Sequence, residues 1–243
     1  LASGVLLYGM SLLYGLTGSL SLVTVSQAST TLSSESLPLM LAITMVVVGL
    51  LFKLGAVPFH MWVPDVYDGS ATSTTLYLSA VPKLAAFAIL FRLLFSGLGD
   101  WIEIWQDMLA VAAVLSIALG NVVAIAQTSI KRMLAYSTIS NMGFLLLGFF
   151  AGTAAGYSAA MAYAVIYMVA TLAVFGVILA LTRPGFESDL LDDFRGLNER
   201  NPWLAFLMLT VMFSLAGIPP TAGFFAKLMV LQAALGSGLI EIV

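Results

Sequence analysis

Three lysines and the only histidine of the chain interrupt runs of sequence that are otherwise apolar. Lys53 follows an uncharged stretch from Ser36 to Phe52. Lys83 comes directly after Pro82, near the middle of the next run, and Lys227 lies just beyond Pro219 and Pro220. His60 follows Lys53 after Pro58, and the two would share a helix face if the helix ran on past that proline. A charged side chain at the centre of a bilayer costs about 2.5–3.5 kcal/mol on insertion scales, and such residues mark ion or proton pathways by default. Burial disfavours an ammonium relative to its neutral amine, and imidazole titrates near neutrality, whereas a guanidinium keeps its proton. The residue types therefore predict proton transfer at Lys53, Lys83 and Lys227, with His60 as a candidate relay. The plainer alternative is that the long stems snorkel to the interface, which suits Lys53 best, and that His60 is a hydrogen-bonded residue at a span end. The prolines add the second ingredient. Pro58, Pro82, Pro219 and Pro220 are read as helix breaks: Pro82 deprives the Leu78 carbonyl of its helical donor and Pro219 does the same to Leu215. Freed carbonyls at membrane depth are tolerated where they are buried in protein or line a hydrated cavity.

The elements that must hold these residues are transmembrane helices. The chain is 61% hydrophobic and 9% charged, against roughly 25% charged in an ordinary soluble domain. A span needs about 20 mostly apolar residues, and seven stretches qualify, at 1–24, 37–62, 71–96, 108–127, 131–152, 156–181 and 202–235. The runs are continuous and lack the alternation of a β-barrel. The expected fold is an all-α, polytopic bundle forming a single membrane domain over 1–243, with breaks near Lys53 and at Pro219–Pro220. The 63–70, 128–130 and 182–201 loops then share one side, with Lys131, Arg132, Arg183, Arg195 and Arg200, while Glu35, Asp100, Glu103, Asp107 and Glu241 crowd the other side, near Arg92. The positive-inside rule places the first set in the cytoplasm, as in a bacterial plasma membrane protein. Lys131 reads as a cytoplasmic anchor, Asp65 and Asp68 as turn or cap residues, and Trp62, Trp101, Trp105 and Trp203 as interfacial rings at span ends. Gly148 and Gly152 form a small-xxx-small pair.

The composition excludes several classes. Without cysteine there is no disulfide, iron–sulfur ligation or zinc thiolate site, and one histidine builds no histidine-based metal centre. No glycine-rich nucleotide fingerprint and no basic tract for nucleic acid is present. The chain starts inside an apolar run and stops soon after one, and reads as a piece of a longer membrane protein.

Five segments, "FKLGAVPFHMWVPDVYDG", "SAVPKLAAF", "SIKRMLAYSTISNMG", "DLLDDFRGLNERNP" and "SLAGIPPTAGFFAKL", resemble in order the antiporter-like N subunit of the proton-pumping NADH–quinone oxidoreductase, respiratory complex I. The resemblance covers nearly the whole chain, and "VPFHMWVPDVY" is similar to the N type rather than to its L and M relatives. It implies a proton-translocating subunit with no cofactor of its own. NADH, flavin, iron–sulfur clusters and quinone are expected in other subunits, and the expected partners are other membrane subunits, neighbouring antiporter-like ones above all, and the bilayer. It also implies that Lys53 is the lysine of the first broken helix, Lys83 the connecting lysine and Lys227 the lysine of the second broken helix. Three departures stand out. Asn141 occupies the family's usual histidine position in "STISNMG", so a relay there needs water. "GSATST" replaces a proline-bearing loop. The family is about twice this length, and its glutamate partner for the residue matching Lys53 precedes the matched region. Two rival classes stand beside it: a subunit of a multi-subunit cation/proton antiporter, which shares the lysine pattern, and a non-transporting membrane scaffold whose buried lysines are only structural.

Overall fold

The computed structural model describes residues 2–182 and 188–236, so Arg183 and Glu241 lie outside the described residues. Eleven helices account for the described apolar runs: α1 (Ala2–Thr17), α2 (Leu22–Gln27), α3 (Leu37–Leu54), α4 (Trp62–Gly69), α5 (Thr72–Phe91), α6 (Ile102–Ile125), α7 (Ile130–Phe150), α8 (Ala154–Leu181), α9 (Leu197–Arg200), α10 (Pro202–Ala216) and α11 (Ala222–Gly236). No strand is present among the described residues. Five helices are long and apolar enough to cross a membrane, or six if α1 and α2, bent by 60°, count as one span. The bend corrects the single span expected at 1–24: Gly18 turns left-handed at φ 67° and ends α1. The seventh stretch is divided between α10 and α11. Each has 15 residues, about 22 Å of helix, short of the roughly 30 Å hydrocarbon core.

Helix α7 is the hub. It packs against α4, α6, α8 and α11, and most of its residues are buried. Small residues allow these approaches, as expected where lipid offers no hydrophobic drive between helices. At Gly143 an added methyl would lie 2.7 Å from the Ala113 carbonyl of α6, and at Gly120 it would lie 2.6 Å from the Ser140 nitrogen of α7. The Gly148–Gly152 pair needs correction. Gly152 lies past the end of α7 in a left-handed turn, and Gly148 instead meets Gly156 and Ala160 of α8. Helix α10 forms the periphery, with no fully buried residue.

The three loops expected on one side do meet. Ser129 caps α7 and donates to Asp68 at 2.6 Å, while Arg132 pairs with Asp65 at 3.3 Å and with Asp68 at 3.6 Å. Asp65 and Asp68 lie within α4 and fasten it to α7 instead of capping a turn. Lys131, read as a cytoplasmic anchor, is instead buried in protein: it is 1% exposed and paired with Asp189 at 2.8 Å, which pins the 188–201 segment against the α6–α7 turn. Successive helix positions point about 100° apart, so Lys131 faces inward although Arg132 beside it faces out. Trp101 and Trp105 are also buried in protein, and the Trp105 indole donates to the Leu98 carbonyl. Trp203 remains exposed.

Cysteine labelling tests the sidedness of this cluster. Ser188 is buried and unsuited to a probe, whereas the Asp192 side chain is 72% exposed. The chain has no native cysteine, so Asp192→Cys gives a single label site. It should react with an impermeant maleimide in inside-out vesicles and stay unlabelled in intact cells; the reverse pattern would invert the topology.

Candidate functional site

The site is built on two interrupted helices that end in the same way. Helix α3 stops at Gly55, whose φ of 77° is left-handed. The Gly55 amide donates to Phe52 and the Ala56 amide reaches back to Leu51, the paired bonds of a Schellman ending. Helix α10 stops at Gly217, φ 84°, with Gly217 donating to Ser214 and Ile218 to Phe213. Prolines follow each glycine, at Pro58 and at Pro219–Pro220, and prevent the helix from resuming at once. Such an ending leaves carbonyls without donors, at the negative end of the helix dipole.

Lysines take these carbonyls. Lys83, from α5, is 3% exposed and donates to the Leu54 carbonyl at 2.6 Å. Its ammonium also lies 4.6 Å from the centre of the Trp62 ring. Trp62 is no interfacial ring: its indole N–H donates to the Phe52 carbonyl of the same broken end. Lys227, from α11, donates to Leu215 at 3.0 Å and Ala216 at 3.1 Å, with its ammonium 4.8 Å from the Phe144 ring centre. Each ammonium is thus held by carbonyl oxygen at a helix end, one for Lys83 and two for Lys227, and by an aromatic face, with no carboxylate in the set among the described residues. Such a set suits a cation.

The remaining candidates fall differently. Pro82 does not break its helix; α5 runs through it from Thr72 to Phe91. One proline removes one donor, and without a left-handed glycine before it the turns on either side carry the helix across. Lys53 lies in the last turn of α3, half-buried, and makes no hydrogen bond or ion pair among the described residues. His60 does not share a helix face with it, because α3 has ended before Pro58. His60 is buried in the connecting turn, and its Nδ1 has no partner among the described residues. Asn141 sits on α7 with both ends of its amide engaged: it donates to the Ser137 carbonyl at 2.7 Å and accepts from the Tyr163 hydroxyl at 2.6 Å. It borders a small cavity that also holds Lys227.

Tyr163, Tyr167 and Thr171 are functional candidates that the sequence reading missed. They recur every fourth residue on one face of α8, and Thr138 and Asn141 answer them from α7. Tyr167 donates to Thr138 at 2.8 Å. The signal was the spacing: hydroxyls four apart inside an apolar run form a polar stripe. On α6, Ser116 accepts from the Val57 amide beside the first break.

The chain matches the family model of the NADH:quinone oxidoreductase/Mrp antiporter transmembrane segment over residues 1–243. It is 61% identical over 234 residues to the NADH-quinone oxidoreductase subunit N of Thioalkalivibrio sulfidiphilus, covering 96% of this chain and 49% of that protein. Against the subunit N of Thiobacillus denitrificans the identity is 58%, with coverages of 99% and 50%. The chain therefore spans about half the length of the curated relatives it matches. Among solved structures it resembles a chain of respiratory complex I from Thermus thermophilus, with TM-score 0.78 and 34% identity over 98% of this chain and 50% of that one. It also resembles a chain of the Mrp complex from a Dietzia species, with TM-score 0.88 and 29% identity over 99% of this chain and 44% of that one. This multi-pass membrane chain belongs to the NADH:quinone oxidoreductase/Mrp antiporter family, and the relatives it matches at high identity bear the subunit N name.

Proposed function

We propose that the chain is part of a proton-translocating membrane subunit of an NADH–quinone oxidoreductase, in which Lys83 and Lys227 bind and release protons within the bilayer. The observation that carries this reading is the repeated arrangement of a broken helix end, its orphan carbonyls and a lysine ammonium beside a small cavity. A helix-end carbonyl set favours the protonated lysine by fixed dipoles, and burial opposes it. The balance between them can be tipped by a charge arriving or leaving nearby. Moving one charge through 100 mV takes about 2.3 kcal/mol, which a swing of about two pKa units supplies at 1.36 kcal/mol each.

On this reading Lys53 is a third proton site, His60 and a water beside Asn141 are relays, and redox chemistry with NADH, flavin, iron–sulfur clusters and quinone belongs to other subunits. The partners are neighbouring antiporter-like subunits, and the membrane is the bacterial inner membrane with the α4, 128–130 and 188–201 segments in the cytoplasm. A cation/proton antiporter subunit is the second reading, favoured by the Mrp likeness in fold. Lys227→Ala in the full-length protein separates them. Proton uptake by membrane vesicles driven by NADH should be lost while complex assembly is kept. Unchanged uptake would leave a scaffold role, and loss confined to NADH-independent sodium–proton exchange would support the antiporter.

A further inference from the structure

Three cavities of about 10 Å³ each lie among α5, α7, α8, α10 and α11, each the room of a single water. One contains Lys83, with Ala80 and Met142. One contains Lys227, with Asn141, Tyr163 and Ser214. One contains Ser137, Thr138 and Thr171. Among the described residues Tyr167 alone borders all three. Its hydroxyl is buried and donates to Thr138 Oγ1 at 2.8 Å, and Thr138 in turn donates to the Leu134 carbonyl. A phenol both donates and accepts, so the Tyr167 oxygen keeps acceptor capacity beside its bond to Thr138. On the loop side, the Tyr67 hydroxyl is buried and completes no hydrogen bond of good geometry, yet it lies close enough to Thr138 and Tyr167 to interact with both. Tyr67 adjoins Asp68, which is tied to Ser129 and Arg132.

We propose that Tyr167 is a proton junction: its hydroxyl passes protons between the water beside Lys83 and the water beside Lys227, and communicates with the loop side through Thr138 and Tyr67. The inference rests on the proton-translocating reading above. In one transfer the Lys83 ammonium gives a proton to its water, that water gives one to the Tyr167 oxygen, and Tyr167 releases its own hydroxyl proton to the second water. That water protonates the neutral Lys227 amine. One N–H bond breaks on Lys83 and one forms on Lys227, Tyr167 ends neutral, and rotation about its C–O bond resets the hydroxyl. Because the hydroxyl is bonded to Thr138 in this structure, it must turn from Thr138 toward the Lys227 water for the transfer to run, which makes the junction a gate.

The test uses the full-length protein in its native membranes, with NADH-driven proton uptake normalised to assembled complex. Tyr167→Phe keeps the ring that walls the cavities and removes only the hydroxyl; uptake should fall at least about tenfold, the low side of losing a positioned acid–base group. Tyr167→Ala removes the wall, joins the cavities and lets water bridge them, so it should pump better than Tyr167→Phe. A residue that only fills space would give the opposite order. Normal uptake in Tyr167→Phe with Lys227→Ala inactive overturns the junction and keeps the lysine reading. Tyr167→Ala at or below Tyr167→Phe assigns Tyr167 to packing and also overturns it. Normal uptake in Lys227→Ala removes the lysine reading and the junction together.

Discussion

Lys83→Arg in the full-length protein should lower NADH-driven proton uptake nearly as far as Lys83→Ala, with both falling at least about tenfold, as expected when a positioned acid–base group is lost. If Lys83 served only as a fixed cation on the end of α3, a guanidinium would satisfy the Leu54 carbonyl and stack on Trp62 at least as well as an ammonium does. A group that must give up its proton in each cycle cannot be an arginine, whose pKa stays above about 12. The site is narrow: a methyl on Gly55 would come within 3.0 Å of the Lys83 nitrogen. Lys83→Gln therefore serves as a size control, since it is smaller than arginine and can still donate to Leu54. It should assemble and fail to pump. Near-normal pumping by the arginine variant beside an inactive alanine variant would assign Lys83 a fixed charge and reject proton release.

The breaks were legible because their cause is local. Gly55 before Pro58 and Gly217 before Pro219 combine a residue that tolerates positive φ with one that cannot continue a helix, and both ends formed there. Pro82 has only Ser79, Ala80 and Val81 before it, and the helix passed through. The presence of glycine, which proline counting ignores, separates these cases. The acceptors of the lysines were not legible. Leu54 is 29 residues from Lys83, and only packing of α5 on α3 joins them. Lys131 was misread for the same reason: beside Arg132 it looks like half of a basic pair, and its partner Asp189 comes from a distant loop. Tyr163 and Tyr167 were lost among apolar neighbours, because a tyrosine in a greasy run reads as bulk until its spacing is set against a facing helix.

Gly217→Ala and Gly55→Ala should each be far more damaging than Gly176→Ala. Left-handed backbone costs an alanine about 1–2 kcal/mol, and here the new methyl also has nowhere to go. At Gly217, φ 84°, it would lie 2.9 Å from Cδ of Lys227, within the side chain whose ammonium holds Leu215 and Ala216. Relief requires either moving that side chain off its carbonyls or unwinding the end of α10, and both uncouple the ammonium from the helix end. At Gly55, φ 77°, the methyl would run into Val63 Cγ2 and press on the Lys83 nitrogen. Gly176→Ala is the matched control. It lies in α8 with nothing within 4 Å of the new methyl, and alanine gains up to about 1 kcal/mol of helix propensity over glycine. Thermal inactivation of the solubilised complex and vesicle proton uptake, measured together, should show losses in both for the two break glycines and in neither for Gly176. If Gly217→Ala kept normal uptake, the Lys227–carbonyl contact would be dispensable, and the helix end would be a structural cap without a part in proton transfer.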